Sequence, residues 1–119
     1  MATALVIIDV QNDFCSGGPL AVPDAEAILP TVNRLLDGHA RVVLTQDWHP
    51  PNHVSFASCH PGRHAFTSIS LSYGAQMLWP DHCVAGTAGA AFHVGLRIPP
   101  AAAVVRKGFR DDIDSYSAF

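Results

Sequence analysis

The sequence lacks the features of a membrane-spanning, nucleic-acid-binding or disulfide-stabilised protein. No apolar stretch is long enough to cross a bilayer, and the short apolar segment near the start reads as a buried strand rather than a signal peptide. The 7 Lys and Arg residues are scattered and the net charge is -3, so no basic surface for nucleic acid or anionic lipid is expected. The 3 cysteines are an odd number without close spacing, which argues against a disulfide framework and favours a reducing, cytoplasmic location.

What is present is a globular composition. Hydrophobic residues make up 49% and charged residues 14%, the balance of a chain that buries a core rather than remaining disordered. A length of 119 residues accommodates at most one domain. No internal repeat, low-complexity tract or linker divides it.

Three short apolar segments predict strands. Residues 4–10 form a β-branched run typical of a strand covered on both faces, and residues 42–45 and 101–106 are two further candidates. A helical face between the first two includes Leu29, Leu36 and their neighbours and is expected to stop at Gly38. The order strand, helix, strand, long irregular segment, strand predicts the α/β class, with an open parallel sheet, right-handed crossovers and flanking helices.

The excursion, from residue 46 to about residue 100, has little periodicity and contains most of the histidines and both tryptophans. So long an irregular segment in a compact domain is usually functional. Ligands of open parallel sheets bind beyond the carboxyl ends of the strands. Asp9 ends the first predicted strand, Asp47 lies just past the second and Lys107 just past the third, so we expect these three groups to converge on one rim.

The segment that begins at Asp47 has the spacing of metal ligands. Asp47 and His49 are two residues apart and point the same way in an extended chain, and His53 follows a Pro-Pro turn that could fold it back. His82 could complete a set of three imidazoles and one carboxylate, which suits Zn²⁺, Fe²⁺ or Mn²⁺ better than Ca²⁺ or Mg²⁺. The alternative, that this is a polar loop without a ligand, stays open from spacing alone.

The other candidate residues have ordinary structural explanations too. Asp9 could be a capping carboxylate at a strand end or a proton-transfer group beside Lys107, which in isolation reads as a solvated lysine. Phe14, Trp79 and Tyr116 could pack in the core or form a slot for a flat ring. The cysteines, Cys15, Cys59 and Cys83, are more often inert small hydrophobes than nucleophiles.

Four stretches taken together resemble the nicotinamidase branch of the isochorismatase-like cysteine hydrolase family. They occur in the family's order and cover the chain from Ala4 to Phe119. The DWHP-x-NH-x-SFAS pattern with WPDHCV is specific to that branch, since relatives without the metal do not carry this ligand set. The stretches are IIDVQNDFCSGGPLAVP, TQDWHPPNHVSFASCH, WPDHCV and RKGFRDDIDSYSAF.

The resemblance implies a parallel sheet of order 3-2-1-4-5-6 with flanking helices. It also implies hydrolysis of nicotinamide to nicotinate and ammonia in NAD salvage, with pyrazinamide as an accepted analogue. Carried over residue by residue, it makes Asp9 the general acid/base and Lys107 its charge-stabilising partner. It makes one divalent transition metal the cofactor, zinc first, with iron or manganese as alternatives. The ligands of that metal would be Asp47, His49, His53 and His82, and the ring pocket would be lined by Phe14, Trp79 and Tyr116.

The chain departs from the family at the nucleophile. In the family this cysteine lies beyond the SYSAF stretch, in a segment resembling G-x-x-T-D-x-C-V, and none of the three cysteines here matches that position. We therefore expect residues 1–119 to be the N-terminal part of a single domain that contains strands 1–3 of the sheet. The first strand would then be an edge with a central strand's sequence, which is an aggregation hazard.

Two alternatives to nicotinamide hydrolysis stay open. The same fold could act on another amide or on an isochorismate-type enol ether. The chain could also be an inert module that binds Zn²⁺ and hydrolyses nothing. In each case the expected partner is a small molecule or ion rather than nucleic acid or membrane, and homo-oligomer formation is left open.

Overall fold

A computed structural model describes residues 2–118; Met1 and Phe119, the two ends of the predicted domain, lie outside the described residues. Within residues 2–118 the structure has five strands, one α-helix and three short 3-10 turns. The strands are β1 (Leu5–Ile8), β2 (Val42–Asp47), β3 (Ser68–Leu71), β4 (Gly74–Met77) and β5 (Ala103–Lys107), and the α-helix is α1 (Leu29–Leu36).

β1, β2 and β5 form a parallel sheet in the order β1-β2-β5. This confirms the predicted fold class. Asp47 and Lys107 were expected just past their strands but are the last residues of β2 and β5, where they pair in register. At their carboxyl ends both strands extend further than predicted, because their polar ends continue the ladder of backbone hydrogen bonds beyond the apolar run; β5 begins at Ala103 rather than at residue 101. The register therefore places these two side chains next to one another at the carboxyl edge.

The hydrophobic core lies under the middle strand and α1. Leu44 in β2 is fully buried, and it clusters with Ile7 in β1, Leu36 in α1 and Leu96 in the segment before β5. α1 starts beside Pro30, whose missing N–H is tolerated in a first turn. The outer strands are more open, since most of the residues in β5 are exposed.

The segment from residue 46 to about residue 100 was predicted to be irregular, but it contains an antiparallel hairpin of β3 and β4. The hairpin escapes prediction because its strands are four residues long and rich in Ser, Gly and Ala, which are poor strand signals. The remainder of the segment is held by backbone hydrogen bonds within itself, such as Trp79 N–H to the Ser55 carbonyl and His49 N–H to the Cys83 carbonyl. His93 N–H donates to the Val10 carbonyl and so joins the segment to the residues that follow β1. The excursion is therefore an ordered layer across the carboxyl edge of the sheet.

A membrane-crossing helix would need a longer apolar span than any helix found in residues 2–118.

Candidate metal centre and active site

The carboxyl edge of the parallel sheet carries a lysine held between two carboxylates. Lys107 Nζ lies 2.9 Å from Asp9 Oδ2 and also donates to Asp47 Oδ1. Thr45 Oγ1 donates to the other Asp9 oxygen over 2.7 Å. The structure thus brings together the end residues of β2 and β5 with the aspartate that follows β1, as the strand-end positions predict.

The backbone around these carboxylates is tightly constrained. Asp9 has a φ of 53°, a left-handed conformation that is uncommon outside glycine and is found at functional sites. The fully buried Gln11 side chain accepts the Asp47 N–H and donates to the Asp47 carbonyl, each over 2.8 Å. One amide side chain therefore fixes the peptide groups on both sides of the Asp47 side chain.

Asp47, His49 and His82 form a buried group whose potential ligand atoms all lie within 4.8 Å of one another. Asp47 Oδ2 is 3.6 Å from His49 Nε2, so the i and i+2 residues do face one point. The His49 and His82 rings meet edge to face, with centroids 4.9 Å apart. Phe56, which is fully buried, contacts both rings edge to face.

Hydrogen bonds orient these imidazoles in the way that metal-binding histidines are oriented. His49 Nδ1 lies 2.7 Å from the Gly108 carbonyl and His82 Nδ1 lies 2.8 Å from the Pro80 carbonyl. A carbonyl can only accept, so Nδ1 carries the proton and the Nε2 lone pair is left for an ion. The donor set, one carboxylate oxygen and imidazole Nε2 atoms, therefore fits a divalent transition metal.

Burial and neighbouring charges act in opposite directions on the pKa values of these side chains. Burial alone would lower the pKa of Lys107, but its hydrogen bonds to Asp47 and Asp9 outweigh burial and raise it. Burial opposes the charged form of Asp47 as well, yet His49 and Lys107 hold the pKa of that carboxyl below its ordinary value. Burial lowers the pKa of His82, which favours the neutral imidazole that binds metal. Burial would lower the pKa of His49 too, but its contacts with Asp47 and the Gly108 carbonyl outweigh burial and raise it.

His53 lies behind this group rather than within it. Its ring stacks on His49 with centroids 4.1 Å apart, and its Nδ1 is 2.7 Å from Ser55 Oγ. Its Nε2 is buried without a hydrogen-bond partner, and Asp114 Oδ1 lies 4.0 Å away. His53, His49 and Asp114 make a second group of potential ligands that shares His49 with the first. The four predicted ligands are thus neighbours, with His53 reached through His49.

Gly108 is required by the packing of His49. Its φ is +66°, and a Cβ at this position would lie 2.5 Å from His49 Cε1. A side chain would therefore both strain the backbone and displace the imidazole. The turn after β5 and the imidazole of His49, which follows β2, therefore fit together only with glycine at position 108.

A cavity of about 200 Å³ opens beside the group of Asp47, His49 and His82, which we call the metal-type group. The predicted aromatic residues all contribute to it, and the Tyr116 hydroxyl accepts hydrogen bonds from Trp79 Nε1 at 3.3 Å and Gln76 Nε2 at 2.9 Å. Its volume and aromatic walls suit a small flat ring. The lining residues are Asp9, Phe14, Leu20, Asp47, His49, Trp79, His82, Lys107, Asp114, Ser115 and Tyr116.

Within residues 2–118, no cysteine lines this cavity. Cys83 is fully buried, and burial together with the carboxylates of Asp47 and Asp13 raises the pKa of its thiol far above the ordinary value. Burial raises the pKa of Cys15 too, and Cys59 is exposed elsewhere. A thiolate nucleophile needs a lowered pKa and access to the substrate, conditions that neither buried cysteine meets.

Sequence reasoning missed several residues that shape the site. Asp13 Oδ2 accepts the Cys83 N–H over 2.7 Å and so holds the loop that carries His82. Gln11, Thr45 and Asp114 were also not singled out. All four residues lie inside the stretches that carry the family resemblance, but only their contacts reveal what they do.

Comparison with known proteins places this geometry in context. A family model described as the isochorismatase domain matches residues 3–115. The chain is 53% identical over 116 residues to the nicotinamidase of Acinetobacter baylyi, an alignment that covers 98% of this chain and 54% of that protein. The chain thus spans about half the length of the curated relatives it matches.

Two solved structures are similar in three dimensions. A nicotinamidase pyrazinamidase of Acinetobacter baumanii superposes with a TM-score of 0.93 and 59% identity, over 98% of this chain and 56% of that one. The pyrazinamidase of Pyrococcus horikoshii in complex with zinc superposes with a TM-score of 0.77 and 35% identity, over 98% of this chain and 57% of that one.

Proposed function

Because this chain belongs to the isochorismatase family, we propose that the whole protein hydrolyses nicotinamide to nicotinate and ammonia. The observation that carries the proposal is the position of Lys107 Nζ, which joins Asp9 to Asp47. One side chain thereby couples a proton-transfer carboxylate to the group of Asp47, His49 and His82, on the wall of one cavity. Names of similar proteins, nicotinamidase and pyrazinamidase, support nicotinamide as substrate and pyrazinamide as an analogue.

The proposed metal ligands are Asp47, His49 and His82, with His53 as the fourth predicted member of the set. A divalent ion held there would bind the pyridine nitrogen, directly or through its waters, and so orient the carboxamide. Zinc is the first choice because the donor set suits it and because the pyrazinamidase of P. horikoshii is known with zinc; iron and manganese are the alternatives.

The proposed acid and base is Asp9. Lys107 holds its carboxylate at the wall of the cavity, so that Asp9 can take the proton of an attacking thiol and deliver it to the departing ammonia. Water then hydrolyses the thioester and releases nicotinate. Thr45 holds the second oxygen of Asp9 in place. Phe14, Trp79 and Tyr116 would enclose the pyridine ring and exclude water from it.

We propose that the nucleophilic cysteine comes from residues beyond Phe119, since the cavity contains none among the described residues. Residues 1–119 would then be the N-terminal part of a single hydrolase domain. The physiological role follows from the reaction: nicotinate release returns the pyridine ring to NAD synthesis. We place the enzyme in the cytoplasm, where a reducing environment preserves free thiols such as those of the three cysteines here.

The test uses a longer protein, these 119 residues followed by the remaining part of the A. baylyi nicotinamidase. We expect it to release ammonia from nicotinamide, and we expect Asp9→Asn to lower kcat by about 10²–10⁴-fold, the usual contribution of a general acid-base group. Asp24→Asn is the matched control, because Asp24 is exposed and has nearly the same left-handed backbone, with a φ of 56°. Turnover by Asp9→Asn within a few fold of the unaltered protein would remove Asp9 from the mechanism.

A further inference from the structure

A second set of metal-type side chains lies outside the cavity. Cys15, Glu26 and His93 each offer one ligand atom, and these atoms all lie within 4.8 Å of one another. The set shares no residue with the Asp47–His49–His82 group or with the cavity wall. The proposed reaction makes no use of it.

We propose that Cys15, Glu26 and His93 hold a zinc ion. Zinc with thiolate, imidazole and carboxylate ligands is tetrahedral, with bonds of about 2.0–2.3 Å, so its ligand atoms lie about 3.3–3.8 Å apart. Atoms already within 4.8 Å need to move by about one ångström to reach this arrangement. Three protein ligands leave the fourth position to water.

The chemistry of the set differs from that of the cavity group. A sulfur ligand makes the site softer and favours zinc over manganese or magnesium. Without an ion, burial and then the Glu26 carboxylate raise the pKa of the Cys15 thiol. An ion reverses this condition, because one thiolate and one carboxylate together neutralise its two positive charges and Cys15 gives up its proton on binding.

The neighbouring contacts pre-position two of the ligands. The Glu26 oxygens accept the Ser16 N–H at 2.8 Å and the Ser16 hydroxyl at 3.1 Å, and each oxygen retains a lone pair. His93 N–H donates to the Val10 carbonyl, which ties the histidine backbone to the end of the first strand region. His93 Nδ1 accepts the Gly95 N–H at 2.9 Å, so we expect this local bond to adjust when the ion binds.

The ion would join three segments that are distant in sequence. Cys15 lies in the loop after β1, Glu26 in the 3-10 turn Ala25–Ile28, and His93 in the segment that leads to β5. Phe14, a wall of the cavity, is the residue before Cys15. Zinc at this position would therefore hold the loop that supplies one side of the ring pocket.

Cobalt titration of the 119-residue chain separates the two sites. Cobalt bound to thiolate has a strong near-ultraviolet charge-transfer band, whereas the cavity group has no sulfur ligand and would add only weak visible bands. We expect two equivalents of Co²⁺ and the thiolate band in the unaltered chain. Cys15→Ser should lose the band and one equivalent, and His49→Ala should lose the other equivalent and keep the band.

Matched controls and a second measurement keep the test decisive. Cys59→Ser and His64→Ala change exposed residues of the same types and should leave both equivalents in place. Glu26→Gln and His93→Ala should each weaken zinc binding at the sulfur site by about tenfold or more, measured by competition with a chelator. A missing thiolate band, or a band that survives Cys15→Ser, overturns the proposal. So does unchanged zinc affinity in both Glu26→Gln and His93→Ala, which applies even if Cys15→Ser does not fold.

Discussion

The middle and the flanks of the parallel sheet have similar apolar sequences but very different environments. In β2, Leu44 is 0% exposed, whereas Ile8 in β1 is 53% and Val105 in β5 is 48% exposed. The metal-type group and the acid-base pair depend on the end of β2 and on side chains that meet there. The contacts of the candidate site therefore meet at the end of the buried middle strand, whereas both outer strands present apolar surface to solvent.

The largest expected effect is on the buried centre. His49→Ala removes the residue that contacts Asp47, His53 and His82, and we expect zinc affinity of that group to fall by more than about 100-fold, since even supporting residues of metal sites cost 10–100-fold. Isothermal titration at neutral pH measures it. His64→Ala, at an exposed position, is the control. Equal affinities for the two variants would mean that no ion is held at the end of β2.

Stability should differ just as clearly between the middle and the edge. Leu44→Ala should lower the free energy of unfolding by about 2–5 kcal/mol, because it leaves a cavity in the core. Val105→Ala, at the half-exposed position in β5, should cost much less, about 1 kcal/mol or below. Urea unfolding followed by circular dichroism gives both values. Similar losses would show that β5 is as well covered as β2.

The fit between the turn after β5 and His49 can be tested with glycine substitutions. Gly108→Ala combines a positive φ with a 2.5 Å approach to His49 Cε1, so we expect a cost of about 1–2 kcal/mol and weaker zinc binding. Gly38→Ala is the control, since its Cβ would meet only the Leu35 carbonyl at 3.8 Å. If the two variants unfold at the same temperature and bind zinc equally, the packing argument for Gly108 fails.

The smallest effect on stability is expected at the edge strand. Ile8→Ser should lower the free energy of unfolding by no more than about 1 kcal/mol, because the side chain is half exposed already. Its neighbour Ile7 is 5% exposed, and Ile7→Ser should be strongly destabilising. Light scattering should show less self-association for Ile8→Ser than for the unaltered chain, as an uncovered apolar edge promotes pairing. Equal self-association of Ile8→Ser and the unaltered chain would show that the exposed edge of β1 does not cause it.

Most of the sheet could be predicted because strands report themselves through local composition. The apolar runs of β1, β2 and β5 and the periodicity of α1 were sufficient for the fold class and for element positions within a few residues. The hairpin of β3 and β4 was missed, since its strands are four residues long and rich in Ser, Gly and Ala, which give little strand signal. Strand propensity is a statement about packing, and weak strands need their partners.

The candidate site divides in the same way. Motif resemblance named Asp9, Asp47, His49, His82 and Lys107, and the strand ends predicted that several of them share one rim. The resemblance did not distinguish His53 from the group of Asp47, His49 and His82. It also did not identify Asp114, which lies beside His53. These facts depend on ring orientation, which is set by acceptors as remote in sequence as Gly108.

By itself, the order of residues determined which segments are apolar, which chemical groups follow each strand, and which side chains of metal-ligating type are present. The tertiary structure alone decided that Lys107 lies between Asp9 and Asp47 and that the imidazole Nδ1 atoms of His49 and His82 face backbone carbonyls. It also decided that Cys15, Glu26 and His93 are neighbours. The physical reason is that side-chain periodicity and charge are local properties, whereas a hydrogen bond or a ligand cage requires atoms from distant segments to meet within a few ångströms.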